Sequence, residues 1–253
     1  MIALLRSEFL RLRSRRVLLR LTGLAVAGIL VSMAIAAVKS HPNTPGAIAL
    51  SVLPNIMENV SFILVVFGLV IGASSVGADW QSGSMATLLT WEPRRTRVYL
   101  IRLLVVVVTV FVVAVALLTL LALLWALVAS TRGTTSFAHG VVSATEGAVL
   151  RVAGMASVAS VLGACIATLG RSSMAALGAV FVYLAVVENL LRGLFPAVTR
   201  WTFAVNAVVF VSGEPVRVFD QLITFDRAVF TLAAYATVLV VAGAVWFRVR
   251  DVN

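Results

Sequence analysis

The residue types that usually perform catalysis or bind metals are scarce in this sequence. It contains two histidines, His41 and His139, and a single cysteine, Cys165. No segment matches H-E-x-x-H, G-x-S-x-G or C-x-x-C, the spacings used by metalloproteases, serine hydrolases and thiol sites. The phosphate-binding pattern G-x-x-x-x-G-K-[ST] is missing as well. We therefore expect a chain that is not an enzyme and has no cofactor or metal site, so that any use of ATP requires a separate subunit.

Three charged residues lie within long apolar stretches rather than in loops: Glu58, Arg151 and Glu188. A charge at the bilayer centre costs about 2.5–3.5 kcal/mol on insertion scales, so these side chains are expected to face protein or water. Our hypothesis is that all three line an outward-facing pathway. Arg151 and Glu188 fall four and six residues inside the predicted outer ends of their spans, about 6 and 9 Å at about 1.5 Å per helical residue, so they are candidates for pairing. A local pair between Glu188 and Arg192, spaced i,i+4, is the alternative.

The composition indicates which solvent surrounds these apolar stretches. Of 253 residues, 61% are apolar and 12% are charged, whereas a soluble domain carries about 25% charged residues. A core of this size cannot bury that much apolar surface, which predicts lipid as the surrounding solvent. The formal net charge of +10 would suggest nucleic acid in a soluble chain. Here most arginines flank apolar runs, so we expect membrane lipid and no nucleic acid as a partner.

Six stretches reach the length of about 20 residues that a membrane-spanning helix needs. They cover 18–38, 56–78, 98–129, 147–169, 174–194 and 227–247. Cytoplasmic loops are enriched in Lys and Arg, and most basic residues fall on the cytoplasmic side if the amino terminus is inside. The abundance of Ala, Val and Arg is typical of a bacterium of high GC content. We predict a multi-pass protein of the bacterial inner membrane with both termini in the cytoplasm.

Two further segments complete the predicted fold. Residues 1–16 place Ile2, Leu5, Phe9 and Leu12 on one helical face, which predicts an interfacial helix along the inner leaflet, with a frayed basic tail as the alternative. Residues 195–226 are too apolar for a solvated loop and predict short helices that re-enter the outer leaflet. The single domain 1–253 is therefore predicted to be all-α, with six transmembrane helices, an N-terminal interfacial helix and re-entrant outer helices between spans five and six.

Small residues predict close helix packing at two places. Gly68 and Gly72 in the second span are spaced by four, which allows the backbone of a neighbouring helix to approach. Ala156, Ser160 and Ala164 form a similar stripe in the fourth span. We favour packing of this stripe within one protomer over a seam between two copies.

The loop 79–97 between the second and third spans is the most informative segment. Asp79 places an acid at the inner end of the second span, and residues 82–90 are predicted to form a short helix that ends before Pro93, because the residue before a proline disfavours helix. A short rigid helix on a basic loop suits docking into a groove of a partner. A basic loop that only sets topology, without a partner, is the alternative.

This loop resembles that of the permease subunits of ABC type-2 transporters. In that family an acid follows the second span, then come a Gly, a Leu-rich stretch, a Pro, one or two basic residues and a Lys or Arg that opens the third span. Here the matching residues are Asp79, Gly83, Leu88, Leu89, Pro93, Arg95 and Arg102. The family more often has Glu at the position of Asp79 and Lys at that of Arg102. The opening Glu8-Phe-Leu-Arg-Leu-Arg and the segment 195–226 also resemble the family's interfacial and re-entrant helices.

The resemblance implies the membrane-spanning subunit of an ATP-driven exporter. It implies two cytoplasmic ATPase subunits that bind ATP and Mg, and a second permease protomer, the same or different. The coupling loop 79–97 would contact the ATPase. The exported substrate is expected to be amphipathic or hydrophobic, such as a drug, a peptide or a lipid-like molecule. The implied coupling residues are Asp79, Gly83, Leu88, Leu89, Glu92, Pro93, Arg94 and Arg95.

Two alternatives belong to other functional classes. A non-transporting membrane module, such as an immunity protein or an assembly scaffold, would need no ATPase. An intramembrane enzyme is disfavoured because the catalytic groups described above are missing. Co-purification of an ATPase that depends on Glu92 or Arg95 would separate the exporter from the non-transporting module.

Overall fold

The computed structural model describes residues 2–13, 15–39, 49–83, 95–132 and 140–249. Almost all of these residues are helical, because long runs of apolar residues satisfy their backbone polar groups within each helix. The helices are α1 (Ile2–Arg13), α2 (Arg16–Lys39), α3 (Leu53–Gln81), α4 (Arg95–Arg132), α5 (Val141–Gly170), α6 (Ser173–Val182), α7 (Glu188–Leu194), α8 (Phe203–Ser212) and α9 (Phe225–Val249).

Six helical segments in this described part are long and apolar enough to cross a membrane. They are α2, α3 with the 3₁₀ turn Leu50–Val52 before it, α4, α5, the segment Ser173–Leu194, and α9. The prediction of six such helices is confirmed. Their ends differ from the predicted ones by a few residues, because the helices continue beyond the apolar runs that the composition picks out.

The fifth of these segments is interrupted by an irregular turn. Between α6 and α7 the residues Tyr183–Val187 form a π-helical segment. The side-chain amide of Asn189 donates to the carbonyl oxygens of Leu184 at 3.1 Å and Ala185 at 2.9 Å. Both acceptors belong to the π-helical segment itself, where the usual helical hydrogen bonds are rearranged.

The helices α3 and α5 pack with their backbones in contact. A Cβ atom placed on Gly68 would collide with the carbonyl oxygen of Ala156, and one on Gly72 would collide with that of Ser160. From the first contact to the second, the residue number rises by four in both helices, so the two helices run parallel. Ala156, Ser160 and Ala164 are fully buried. The predicted close approach at the two glycines and packing of the stripe within one protomer are therefore confirmed.

A second apolar cluster lies at the end of the bundle where α3 and α5 end. It includes Val76, Tyr99, Cys165 and Phe247. The Tyr99 hydroxyl lies 3.2 Å from the Cys165 sulfur, and the rings of Tyr99 and Phe247 stack with centroids 5.9 Å apart. The lone cysteine is buried in this cluster, where a free thiol packs as a small apolar group.

The segment after the fifth span contains a feature that the sequence did not predict. A 3₁₀ helix, Pro196–Trp201, leads into α8, and Gly213 ends α8 with a positive φ of 73°. An antiparallel hairpin follows, in which β1 (Val216–Val218) pairs with β2 (Gln221–Ile223). The all-α prediction is thus corrected by one short hairpin, because three-residue strands around a two-residue turn leave little periodicity in the sequence.

Helix α1 also differs from the predicted amphipathic face. Glu8 and Leu12 are buried, whereas Phe9 and Leu10 are exposed. Phe9 and Leu12 were expected to share one face, but the inward face is set by Glu8 and Leu12, spaced i,i+4. The acid turns inward because it finds charged partners there, and apolar periodicity alone does not register such partners.

Candidate functional site

The candidate site is a group of buried charges where α1, α3 and α4 meet. It contains two acids and three arginines: Glu8, Arg11, Arg15, Asp79 and Arg102. We call these five residues the inner ion cluster. Asp79 and Arg102 are each 4% exposed. Charges this deeply buried are stable only when paired, which explains why several groups of opposite sign converge.

Asp79 is the centre of the inner ion cluster. Its Oδ2 lies 2.7 Å from Nη2 of Arg102, and its Oδ1 lies 3.2 Å from Nη2 of Arg11. Oδ1 also accepts a hydrogen bond from Arg15, whose other terminal nitrogen donates to the carbonyl oxygen of Ser74 at 2.9 Å. Three cations therefore surround one carboxylate, and its removal would leave them facing one another.

Glu8 is the second acid of the cluster and links α1 to α4. Its Oε2 lies 3.4 Å from Nε of Arg102, and its Oε1 lies 3.8 Å from Nη1 of Arg11. Arg102 therefore joins the carboxylates of Glu8 and Asp79. The short helix α1 is fastened in this way to the ends of two long helices.

The inner ion cluster lies at the base of the predicted coupling loop. Asp79 is in the last turn of α3, and Gly83 follows the end of that helix with a positive φ of 69°, a conformation that glycine adopts readily. Arg102 is in the second turn of α4. The structure thus brings together the two charged residues at the loop's ends that the sequence analysis singled out.

The remaining predicted coupling residues lie outside this description. Residues 84–94 are not among the described ones, so Leu88, Leu89, Glu92, Pro93 and Arg94 have no structural account. Arg95 is the first residue of α4, and its side chain is not described either. The predicted helix over residues 82–90 falls mostly in this range and stays a prediction.

An arginine–aromatic contact adjoins the cluster at the same end of the bundle. The guanidinium of Arg171, in the turn between α5 and α6, lies 4.9 Å from the ring centroid of Trp80. The Trp80 ring in turn meets Phe247 edge to face, with centroids 6.0 Å apart. This contact ties the end of α3 to the α5–α6 turn and to α9, because a cation over an indole face is attracted to it.

At the opposite end of the bundle, Glu188 holds the start of α8. Its side chain is completely buried, and its Oε1 accepts a hydrogen bond of 2.6 Å from the backbone N–H of Ala204, in the first turn of α8. The first N–H groups of a helix have no partner within the helix, and its N-terminus favours negative charge. Glu188 therefore acts as a cap for α8 supplied by another helix.

Arg151 holds the other end of the same helix. Its guanidinium donates to the carbonyl oxygens of Val211 at 2.9 Å and Ser212 at 3.1 Å. These are the last carbonyl groups of α8, where a cation is favoured. The pairing considered between Arg151 and Glu188 is therefore wrong. The alternative with Arg192 is also not formed through the carboxylate, because the Arg192 guanidinium contacts the Glu188 backbone oxygen at 3.4 Å and the Asn189 side chain at 2.7 Å.

Glu58 is the one of the three charges that lines a cavity. This cavity has a volume of about 300 Å³ and lies between α3, α5, the π-helical segment and α8. Its walls are mostly apolar and include Phe62, Met155 and Phe203. Arg151 lies at its edge, 3.9 Å from the Glu58 carboxylate, whereas Glu188 is enclosed and does not line it.

Sequence reasoning missed two parts of this arrangement. Glu8, Arg11 and Arg15 were assigned to an interfacial helix and to topology, although their partners lie far along the chain. The role of α8 as a shared target of Glu188 and Arg151 was missed too. The only available signal was that acids are rare here, with ten in 253 residues, so that each buried acid needs an explanation.

Comparison with known proteins leaves the family open. The chain matches no protein-family model, and no curated protein matches it closely enough to count as a relative.

Proposed function

We propose that this chain is the membrane-spanning subunit of an ATP-binding-cassette exporter in the bacterial inner membrane, with both termini in the cytoplasm. The observation that carries the proposal is the ion pair of 2.7 Å between Asp79 and Arg102. It fastens the two ends of the segment proposed to dock on an ATPase. The proposed family rests on the order of residues around that segment, which resembles the coupling loop of ABC type-2 permeases.

The packing described above suits the transmission of movement from this loop. The inner ion cluster joins the base of the loop to α1, α3 and α4. Contacts at Gly68, Gly72 and Gly163 lock α3 against α5. Closely packed helices move as units and do not deform continuously, so a displaced loop would shift α3 and α5 together. Coupling between ATP hydrolysis and transport needs such a two-state element shared by both sites.

The cavity that Glu58 lines supports the proposed class of substrate. Its apolar walls suit an amphipathic or hydrophobic molecule, and Glu58 provides a single charged lining group. The helix α8, held at both ends by Glu188 and Arg151, forms part of the wall and is proposed to re-enter the outer leaflet. The direction of transport, export and not import, is proposed from the resemblance alone.

ATP and Mg are proposed to bind to cytoplasmic ATPase subunits, and a second permease protomer is proposed to complete the pathway. The segment Ser173–Leu194 offers a face for such a protomer. It exposes large apolar side chains along its length, with Phe181 71% exposed. Lipid or a second protomer would cover this face in the membrane.

The decisive experiment recovers the chain from its native membrane in mild detergent and measures ATP hydrolysis in the purified material. We expect an ATPase subunit with a phosphate-binding loop to co-purify. The charge reversals Glu92→Arg and Arg95→Glu should each reduce its recovery about tenfold or more, because reversed charges across an interface repel.

The matched control is Arg217→Glu, which reverses one exposed charge on the hairpin at the other end of the bundle. It should leave ATPase recovery unchanged. If no ATPase is recovered with the unmodified chain, or if all three variants recover it equally, the exporter proposal is wrong. In the first case the non-transporting membrane module would replace it.

A further inference from the structure

A long apolar groove is separate from the cavity that Glu58 lines, and the two share no lining residue. It has a volume of about 420 Å³ and runs between α2, α3 and α4. Its walls include Leu24 and Gly28 of α2, Ile63 and Phe67 of α3, and Leu121 of α4. This volume lies within the range of about 300–1,000 Å³ that is usual for binding sites of small molecules.

The groove offers almost no polar group to an occupant. Ser32 is the only lining residue with a polar side chain in the part of the chain that the structure describes, and its hydroxyl already donates to the carbonyl oxygen of Ile29 at 2.9 Å. An occupant would therefore be recognised by apolar contact alone along the groove. Any polar recognition has to come from beyond its end.

Two arginines lie just beyond one end of the groove. Arg16 and Arg20 are both exposed and precede Leu24 at intervals of four residues, which places all three along one side of α2. Neither arginine forms an ion pair with any residue that the structure describes. Arg15, in contrast, is engaged with Asp79 in the inner ion cluster.

We propose that this groove holds one acyl chain of an anionic phospholipid, with the lipid phosphate beside Arg20 and Arg16. The rise of about 1.5 Å per residue places Ser32 about 18 Å along α2 from Arg20. One leaflet contributes about 15 Å of hydrocarbon, half of a core of about 30 Å. The groove therefore extends from the charged headgroup level to the middle of the bilayer. Along α2 the charged residues are followed by apolar surface, as the headgroup of a phospholipid is followed by its acyl chains.

This inference rests on one part of the proposed function, the insertion of the six long helices in a membrane. It does not depend on an ATPase partner. Failure to recover an ATPase would leave the lipid site standing, and failure to find the lipid would leave the exporter standing. The two outcomes are therefore distinguishable.

The test places the full chain in phosphatidylcholine nanodiscs that contain a trace of phosphatidylglycerol with a photoreactive diazirine in the middle of one acyl chain. A phosphatidylcholine probe with the same diazirine is the comparison. After illumination, mass spectrometry locates the adducts. We expect adducts on the groove-lining parts of α2 and α3, and a yield from the anionic probe about tenfold or more above that from the zwitterionic one, because each Lys or Arg near a surface attracts anionic lipid.

Two glycines of α2 provide matched variants. A Cβ added at Gly28 or at Gly23 meets nothing within 4 Å, and a side chain raises the helical propensity at both positions. Gly28 lines the groove, whereas Gly23 is absent from its lining. Gly28→Phe should reduce groove adducts about tenfold or more by filling the space, and Gly23→Phe should leave them unchanged. Ser32→Leu is a second filling variant, and a monodisperse gel-filtration profile checks each fold.

The arginines have their own test. Arg16→Gln combined with Arg20→Gln should bring the yields of the two probes to within about twofold, while adducts stay in the groove. Arg217→Gln on the hairpin should keep the preference of the unmodified chain. A preference that survives loss of both arginines would overturn the proposed headgroup site.

Three further results would overturn the proposal. The first is equal labelling of the unmodified chain by both probes. The second is labelling of Gly28→Phe and Ser32→Leu at the level of Gly23→Phe. The third is a disulfide-linked dimer of Gly28→Cys in a Cys165→Ala background, because a second copy of the chain would then cover the groove.

Discussion

The carboxylate of Asp79 and the guanidinium of Arg102 lie 2.7 Å apart, although residues 82–94 separate the helices that carry them. Both side chains are almost entirely buried, with exposures of 6% and 5%. The end of α3 and the start of α4 are therefore fastened to each other. Whatever binds the loop between them acts on both helices.

Neutralising the two members of this pair should have unequal effects. Asp79→Asn leaves Arg11, Arg15 and Arg102 close together without their central counter-charge, and removing one partner of a buried pair costs about 3–5 kcal/mol. Arg102→Gln leaves Asp79 with two arginines and Glu8 with Arg11, so each buried acid keeps a cation and the loss should be about 1.5 kcal/mol. Unfolding of the purified chain by SDS titration, followed by circular dichroism, measures both losses.

The control for this comparison is Glu146→Gln, which neutralises an exposed acid near the start of α5. Its free energy of unfolding should stay within about 0.5 kcal/mol of that of the unmodified chain. Equal losses for Asp79→Asn and Arg102→Gln would contradict the central position of Asp79 in the cluster.

Gly72→Ala should destabilise the chain strongly. The added Cβ would collide with the backbone oxygen of Ser160, and backbone in the middle of two packed helices cannot move without separating them. We expect a loss of about 3 kcal/mol in the free energy of unfolding. Gly178→Ala is the matched control, because nothing lies within 4 Å of a Cβ there, and it should gain up to about 1 kcal/mol. A Gly72→Ala variant as stable as Gly178→Ala would mean that α3 and α5 do not pack as described.

Loss of the Glu188 carboxylate should loosen the first turn of α8. Glu188→Ala removes the acceptor of the Ala204 N–H, and an unsatisfied buried donor costs about 1–3 kcal/mol. Hydrogen–deuterium exchange should rise about tenfold or more for peptides that begin α8 and less for peptides of α5. Glu188→Gln keeps an acceptor oxygen and should give an intermediate rate. Unchanged exchange in Glu188→Ala would show that this cap does not hold the helix.

Cysteine labelling tests the orientation that the proposed function requires. In a Cys165→Ala background, Gln81→Cys marks the end of the bundle that carries the inner ion cluster, and Leu222→Cys marks the hairpin. Both positions are exposed. A membrane-impermeant maleimide should label Leu222→Cys in intact cells and Gln81→Cys only in inverted vesicles. Labelling of Gln81→Cys from outside would place the coupling loop beyond the reach of any cytoplasmic ATPase.

Much of the helical architecture could be predicted from local properties of the chain. The lengths and apolar composition of the six long helices depend on contiguous residues, because the backbone hydrogen bonds of a helix form within the helix itself. Gly68 and Gly72 predicted a close approach for a similar reason: the absence of a side chain is a local fact. The hairpin after α8 was missed, since three-residue strands carry little periodic signal.

The sequence alone determined which parts of this protein are apolar helices and which charges would be costly inside them. Only the tertiary structure decided where those charges go. Glu8 and Arg102 meet across 94 positions of the chain, and Glu188 and Arg151, candidates for pairing with each other, hold opposite ends of α8. The physical reason is that a buried charge takes whichever opposite charge or helix end lies nearest after packing, and that distance depends on how whole helices are arranged rather than on spacing along the chain.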